Sequence, residues 1–247
     1  IGKLENLSRG SNKGGHALQT VALNQPKALP LDANGKGYLY LSGVTGNYAS
    51  VADPLGSFGD FTMQVDGLDA GAVRPATNVT LMSKYNGAQQ SFIIRIYSSG
   101  GITLNLIGPA AWETHYSPTV PTDTVGIRIT RVGTLITYWV DTGSGYVSLG
   151  TDTGAANNPI NNATTPLEIG ALALGTTNIL TGKIGRAVIW NNGTQAGTPV
   201  LDVDFTATNV RHGATKFKCA TGQVVTINQA GNDPATVIKK SVLRFDG

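Results

Sequence analysis

Turn signals interrupt this chain so often that long helices have little room to form. Asn86-Gly87, Gly100-Gly101 and Asn192-Gly193 tolerate the positive φ of tight turns, and each stands beside an apolar run. With 32 glycines and 11 prolines among 247 residues, no stretch of helical length keeps a 3.6-residue apolar period free of such breakers. The spacing predicts short strands and an all-β fold.

The segments between these turns have the composition of β-strands. Residues 58–66 alternate apolar and polar side chains, the period-two pattern of a half-buried strand. Residues 91–97 and 102–107 are apolar runs joined by Ser-Ser-Gly-Gly, which predicts a hairpin. Residues 125–150 contain three more such runs and predict an antiparallel meander. Short strands repeating at intervals of roughly ten residues are typical of a two-sheet sandwich or jelly roll.

Residues 182–193 form the segment with the strongest core signature. Val188, Ile189 and Trp190 give it the β-branched and aromatic content of a buried strand. Residues 167–174 predict a second strand just upstream. Pairing the two segments would place Trp190 in the middle of an antiparallel core.

The charge distribution and the length of the apolar runs limit the classes of partner that this chain can bind. Charged residues make up 13% of the sequence, and the formal net charge is +3. Lysines and arginines are scattered, with one adjacent pair at Lys239-Lys240, whereas nucleic-acid binding needs a concentrated basic stripe. No apolar run reaches the roughly 20 residues that cross a bilayer. The sequence therefore predicts neither a nucleic-acid partner nor membrane insertion.

Four segments together resemble a known family of β-sandwiches. Residues 38–43, 59–62, 125–129 and 182–190 resemble, in order, strands of the concanavalin A-like, laminin G-like jelly roll. The resemblance covers about residues 37–195. It implies a two-sheet antiparallel jelly-roll sandwich.

The flanking segments predict a three-part organisation. Residues 1–36 are polar and glycine-rich and predict an extended N-terminal arm, followed by the jelly-roll domain at 37–197. Residues 198–247 predict a C-terminal β extension or the start of a second unit. Residues 202–232 resemble segments that follow such domains in virion structural proteins of tailed bacteriophages.

Groups for bond-breaking chemistry are scattered along the chain. Glucanases of this superfamily use a Glu-x-Asp-x-Glu arrangement, and glycoside hydrolysis in general needs paired carboxylates. Zinc needs ligands at characteristic spacings, and a serine hydrolase needs a Gly-x-Ser-x-Gly elbow. The glutamates and histidines stand alone in sequence, and we interpret the histidines as loop residues: Glu5, Glu113, Glu168, His16, His115 and His212. The sequence predicts no catalytic residue, no cofactor and no metal, and hence no enzyme.

Two segments carry the residue types with which lectins of this superfamily hold sugars, namely aspartate, asparagine and a stacking aromatic ring. These segments are 108–123, predicted as a long loop, and 141–162. The candidate contacts to a glycan or partner are Trp112, His115, Tyr116, Asp123, Tyr146, Asp152 and Asn158. Trp112 is the candidate anchor, either for a sugar or for a neighbouring subunit. Turn chemistry alone would also account for the aspartates and asparagines.

These features favour a virion structural protein of a tailed phage, either a capsid decoration protein or a tail or fibre component. It would assemble in the host cytoplasm as a homo-oligomer that contacts other capsid or tail subunits. The alternative is a glycan-binding module for host surface polysaccharide. A secreted polysaccharide hydrolase is the third reading, and the missing carboxylate pair disfavours it.

Overall fold

The computed structural model describes residues 35–52, 55–108, 112–153, 159–231 and 235–238. The elements in chain order are β1 (Tyr38–Ser42), β2 (Tyr48–Val51), β3 (Phe61–Asp66), α1 (Ala70–Val73), β4 (Val79–Tyr85), β5 (Gln90–Ile96), β6 (Gly101–Ile107), β7 (Trp112–Thr119), β8 (Gly126–Val132), β9 (Leu135–Asp141), β10 (Tyr146–Asp152), β11 (Leu167–Ile169), β12 (Thr181–Ile184), β13 (Arg186–Trp190), β14 (Leu201–Asp204), β15 (Lys216–Lys218), β16 (Val224–Asn228) and β17 (Thr236–Ile238). The predicted all-β class is confirmed. In the described part of the chain α1 is the sole helix. It has four residues and is not long and apolar enough to cross a bilayer.

Two large antiparallel sheets carry most of the strands. The six-stranded sheet has the order β10-β9-β8-β3-β13-β14, and the eight-stranded sheet has the order β15-β16-β2-β11-β4-β5-β6-β7. A smaller sheet has the order β12-β1-β17. The predicted hairpin of residues 91–107 is β5 paired with β6, and the predicted meander is β8, β9 and β10. The predicted antiparallel sandwich is confirmed.

Strand alternation divides the side chains of the six-stranded sheet between the core and an outer face. On β8, Ile127 and Ile129 are buried in the hydrophobic core, whereas Arg128 and Thr130 lie on the opposite face and are half-buried. Core residues come from both large sheets. Because neighbouring strands keep their register, the outer face consists of rows of side chains that run across the strands.

The predicted core strand at residues 182–193 is divided between two sheets. β12 pairs with β1 in the smaller sheet, and β13 pairs with β3 and β14 in the six-stranded sheet. The chain changes sheets at Gly185, where a side chain would meet the Cα atom of Gly67 at 3.2 Å. The expectation that Trp190 lies in the middle of the core is wrong, because Trp190 is half-buried at the end of β13. Its predicted partner, β11, pairs with β2 and β4 instead.

Strands beyond residue 197 belong to the same sheets as earlier strands. β14 pairs with β13, and β16 pairs with β2. Leu201, Val203 and Val225 are buried in the hydrophobic core. The predicted division between residues 197 and 198 stays a prediction, and residues 1–34 of the predicted arm lie outside the described ranges.

Candidate functional site

The structure places the sequence-predicted contacts on two edge strands and one turn. Trp112, His115 and Tyr116 lie on β7, the edge of the eight-stranded sheet, and Tyr146 and Asp152 lie on β10, the edge of the six-stranded sheet. The two remaining predicted residues are Asp123, which is exposed before β8, and Asn158, which lies outside the described residues.

The expectation of a long loop at residues 108–123 is wrong, because β7 occupies Trp112–Thr119. Prolines were the reason for that expectation, since proline cannot donate a hydrogen bond within a sheet. Pro118 nevertheless lies within β7. An edge strand tolerates proline because one side of its backbone has no partner strand.

His115 and two carboxylates join the edges of the large sheets, and we call this group the β7–β10 seam. His115 Nδ1 lies 3.1 Å from Asp152 Oδ2, and His115 Nε2 lies 3.2 Å from Glu113 Oε2. His115 is 4% exposed, so its interpretation as a loop histidine is wrong. The carboxylates approach opposite ring nitrogens and do not converge, and the described residues contain no metal-holding group of three such side chains. The geometry is that of a structural clamp.

The aromatic residues of β7 stand on the exposed side of this edge. Trp112 is 45% exposed, and its ring contacts Tyr85 edge-on with the ring centroids 5.9 Å apart. Tyr116 is 62% exposed. The Trp112 indole donates to Thr114 Oγ1 at 3.1 Å. Their role as glycan or partner contacts stays a prediction.

The outer face of the six-stranded sheet holds a group of polar and aromatic side chains that sequence reasoning mostly missed. We call it the polar face, and it consists of Gln64, Asp66, Arg128, Trp139, Tyr146 and Arg186. The pairing register of the strands brings these side chains together. Gln64 pairs with Arg128, Arg128 with Trp139, and Asp66 with Arg186. Of the contacts predicted from the sequence, Tyr146 belongs to it.

Arg128 occupies the middle of the polar face and is held from several sides. Its guanidinium carbon lies 3.7 Å from the centroid of the Tyr146 ring, a cation–π contact. Arg128 Nε donates to Gln64 Oε1 at 2.9 Å. The Gln195 amide, with its oxygen turned toward the arginine, accepts from Arg128 Nε at 2.7 Å and from Nη2 at 3.2 Å. Burial lowers the pKa of Arg128 from its ordinary value, and Tyr146, Asp66 and Asp141 partly oppose that shift.

A second set of hydrogen bonds fixes Tyr146 beneath Arg128. The Tyr146 hydroxyl donates to Asp66 Oδ1, and Gln64 Nε2 donates to Asp66 Oδ2 at 2.7 Å. Burial raises the pKa of Tyr146, and Asp66 raises it further. Gly126 makes the arrangement possible, because a Cβ atom there would come within 2.6 Å of the Tyr146 hydroxyl and 3.0 Å of Asp66 Oδ1. The aromatic ring and the guanidinium are therefore held in one arrangement.

Arg186 supplies the second cation of the face. Its Nε and Nη2 atoms donate to Asp202 Oδ1 at 2.8 Å and Oδ2 at 2.7 Å, a bidentate pair. The Arg186 side chain is 39% exposed. Hydrogen bonding to Asp202 raises the pKa of Arg186. The side chain is held in one orientation and is still open to solvent.

The sequence contained a partial signal for this face. Polar residues alternate with apolar ones at Gln64 and Asp66 on β3 and at Arg128 and Thr130 on β8, which predicts an outward-facing position. Trp139 on β9 fits the same alternation. What the sequence lacks is the order of the strands, which brings β13 beside β3 and β3 beside β8.

Comparison with known proteins identifies solved structures with a similar fold. No protein-family profile matches the chain, and no curated protein matches it in sequence. A Bacteroides ovatus protein described as a candidate for carbohydrate binding superposes with a TM-score of 0.59 at 14% identity, over 87% of this chain and 62% of that one. The chain thus spans less than two thirds of that protein's length.

Two further likenesses are looser, with TM-scores below 0.5. The CBM40 domain of a Ruminococcus gnavus IT-sialidase, bound to α2,3 sialyllactose, gives a TM-score of 0.47 at 12% identity over 65% of this chain and 92% of that one. Domains LG4-5 of the mouse laminin α1 chain give 0.43 at 11% identity over 67% and 46% of the two chains. The jelly-roll sandwich expected from the laminin G-like resemblance is confirmed as a fold. The virion assignment, its subunit partners, homo-oligomerisation and localisation stay predictions.

Proposed function

We propose that the polar face binds carbohydrate and that this chain is a glycan-binding module. The observation that carries the proposal is the fixed stack of Arg128 on Tyr146, with Trp139 as the cross-strand neighbour of Arg128. All three side chains are half-buried, so each presents a surface to solvent.

The chemistry of sugars matches such a surface. A sugar ring has an apolar side that packs on an aromatic side chain and a rim of hydroxyl groups that both donate and accept hydrogen bonds. Arg128 and Gln64 offer donors, and Asp66 offers acceptors, within one network. Because this network already holds the side chains in place, binding loses little side-chain entropy.

The fold supports the same proposal at a coarser level. The Bacteroides ovatus protein that shares this sandwich is described as a candidate for carbohydrate binding. Identity of 14% carries no residue-level correspondence. The assignment of the face therefore depends on the contacts of Arg128 and Tyr146.

A pair of tryptophan variants tests the proposal. Wild-type protein, Trp139→Ala and Trp112→Ala are compared on an array of oligosaccharides and by isothermal titration with the best ligand. We expect Trp139→Ala to weaken binding by about tenfold, the effect of losing one stacked ring. Trp112→Ala is the matched control and should bind as the wild type does.

Two results would overturn the assignment. Absence of binding by the wild-type protein to every glycan at millimolar concentration would remove the proposed function. Loss of binding in Trp112→Ala with full binding in Trp139→Ala would move the site to β7.

A further inference from the structure

We infer that the ligand of the polar face is an uncharged oligosaccharide, and that glycans bearing carboxylate or sulfate groups are discriminated against. This inference rests on the proposed function and adds the class of ligand. Three observations carry it: the charge balance of the face, the pairing of its arginines and its extent across the strands.

Carboxylates outnumber guanidinium groups when the polar face is taken together with the residues that share its rows. Arg128 and Arg186 supply two positive charges. The carboxylates that share their rows, by register or by direct contact, are Asp66, Asp141, Asp202 and Asp204. The polar face together with its row neighbours Asp141, Asp202 and Asp204 thus has a formal charge of −2, although the whole chain carries +3. An anionic ligand would meet repulsion here, because like charges at short range disfavour binding.

Neither arginine is available as an uncompensated anion receptor. Arg186 holds Asp202 through two hydrogen bonds and pairs in register with Asp66 and Asp204. Arg128 interacts electrostatically with Asp66 and Asp141. A ligand carboxylate would have to compete with side chains that are already in place.

Hydroxyl groups suit the same array better than carboxylates do. A carboxylate accepts hydrogen bonds and donates none, so beside Asp66 and Asp202 it leaves acceptors facing acceptors. A hydroxyl donates to an aspartate and accepts from Arg128 at the same time. The mixture of donors and acceptors therefore selects for polyols such as neutral sugars.

The extent of the face indicates more than one sugar ring. Trp139 stands on β9 and is half-buried, and β8 and β3 separate β9 from β13. Three strand spacings make a length of roughly 14 Å. Arg186 stands on β13 at the far end of this span. A single pyranose ring cannot reach both ends, so an oligosaccharide segment fits.

The test uses matched pairs of immobilised oligosaccharides, each neutral chain beside the same chain carrying sialic acid, uronic acid or sulfate. We expect the neutral member to bind on the order of tenfold more tightly at low ionic strength. Added salt should reduce that ratio, because screening weakens repulsion between the face and the acidic group.

Charge-neutralised variants show whether the carboxylates cause the discrimination. Asp141 Oδ1 accepts from the backbone N–H groups of Gly143 and Gly145, and Asp204 Oδ1 accepts from that of Thr206. Asparagine keeps this acceptor, so Asp141→Asn/Asp204→Asn removes two charges with little change to the turns. We expect the ratio of neutral to acidic binding to fall several-fold in this variant.

Asp60→Asn is the matched control, because Asp60 Oδ1 also accepts from a backbone N–H, that of Gly133, but lies outside the rows of the polar face. It should leave the ratio unchanged. Tighter binding of the acidic members by the wild type would overturn the inference while the proposed function stands. Absence of binding to any member of any pair would overturn the proposed function and this inference with it.

Discussion

In both the polar face and the β7–β10 seam an aspartate holds other polar side chains, but the two regions differ in how far those side chains are buried. Arg128 and Tyr146 are half-buried and supported by Gln64 and Asp66, so their contacts fix exposed surfaces. In the seam, His115 is buried between Glu113 and Asp152, and its polar atoms are occupied. The side chains of the polar face are held by partners and still reach solvent, whereas His115 in the seam is held by partners and buried.

The exposed aromatic residues of β7 also differ from the aromatic residues of the polar face. Tyr116 is more exposed than the half-buried Tyr146. Among the described residues no arginine stacks on Tyr116, whereas Tyr146 has Arg128 over its ring at 3.7 Å. Preorganisation distinguishes the two regions better than exposure does.

The largest effect should come from removing the central cation of the polar face. Arg128→Ala removes a cation–π partner and hydrogen bonds that position Gln64, so we expect glycan affinity to fall about thirtyfold, or ~2 kcal/mol. Isothermal titration measures the change.

Arg95→Ala is the matched control for this experiment. Arg95 lies on β5 of the eight-stranded sheet, 5.9 Å from the Tyr97 ring centroid, and donates to Asn105. It should leave glycan affinity unchanged. Equal losses in both variants would mean that general destabilisation is the cause, and the contrast between the two sheets would fail.

A second variant should affect stability and leave binding intact. His115→Leu keeps much of the side-chain volume but leaves Glu113 and Asp152 without their shared partner, so the free energy of unfolding should fall by about 2 kcal/mol. Urea denaturation measures it. His212→Leu changes an exposed histidine and serves as the control. If His115→Leu abolished glycan binding in folded protein, the seam would be part of the site.

Tyr146→Phe should have a smaller effect that depends on pH. Loss of the hydroxyl leaves Asp66 Oδ1 without that donor, which costs about 1 kcal/mol of stability at neutral pH. Burial and Asp66 raise the pKa of Tyr146 in the folded protein, whereas the unfolded chain releases this proton near pH 10, roughly the ordinary value. The raised pKa therefore contributes stability that is fully present below about pH 10 and is lost as the pH rises further.

Denaturation curves recorded from neutral to alkaline pH check this behaviour. Wild-type stability should decline above about pH 10, and the decline should be shallower in Tyr146→Phe by up to ~1.4 kcal/mol per pH unit. Tyr116→Phe, at an exposed position, should follow the wild type. Identical slopes for the wild type and Tyr146→Phe would show that Tyr146 is not held as described.

The smallest effect is expected for the remaining contacts that the sequence predicted. Tyr116→Ala/Asp123→Ala changes two exposed side chains outside the polar face. Glycan affinity should change by no more than about twofold, which is within the usual range for surface substitutions. A loss as large as that of Arg128→Ala would restore the edge strand as the binding site.

Local chemistry explains which parts of the fold were predictable. The turns at Asn86-Gly87 and Gly100-Gly101 depend on neighbouring residues, so the hairpin of β5 and β6 followed from the sequence. β7 was missed because the penalty for Pro118 depends on whether a partner strand exists on that side. The position of Trp190 was missed because strand alternation puts it on the same face as Arg186, at the end of β13, where it is half-buried.

The sequence alone determined the all-β class, the strand alternation and the resemblance to a laminin G-like sandwich, because these depend on residue periods and turn propensities along the chain. Tertiary structure alone decided which strands distant from one another in the chain are neighbours, such as β3 beside β8 and β13 beside β3. Arg128, Tyr146 and Asp66 are far apart in sequence, and the register of β3, β8, β9 and β10 brings them together. Hydrogen bonding between strands acts across space, so the composition of a face is a property of the sheet and not of any single strand.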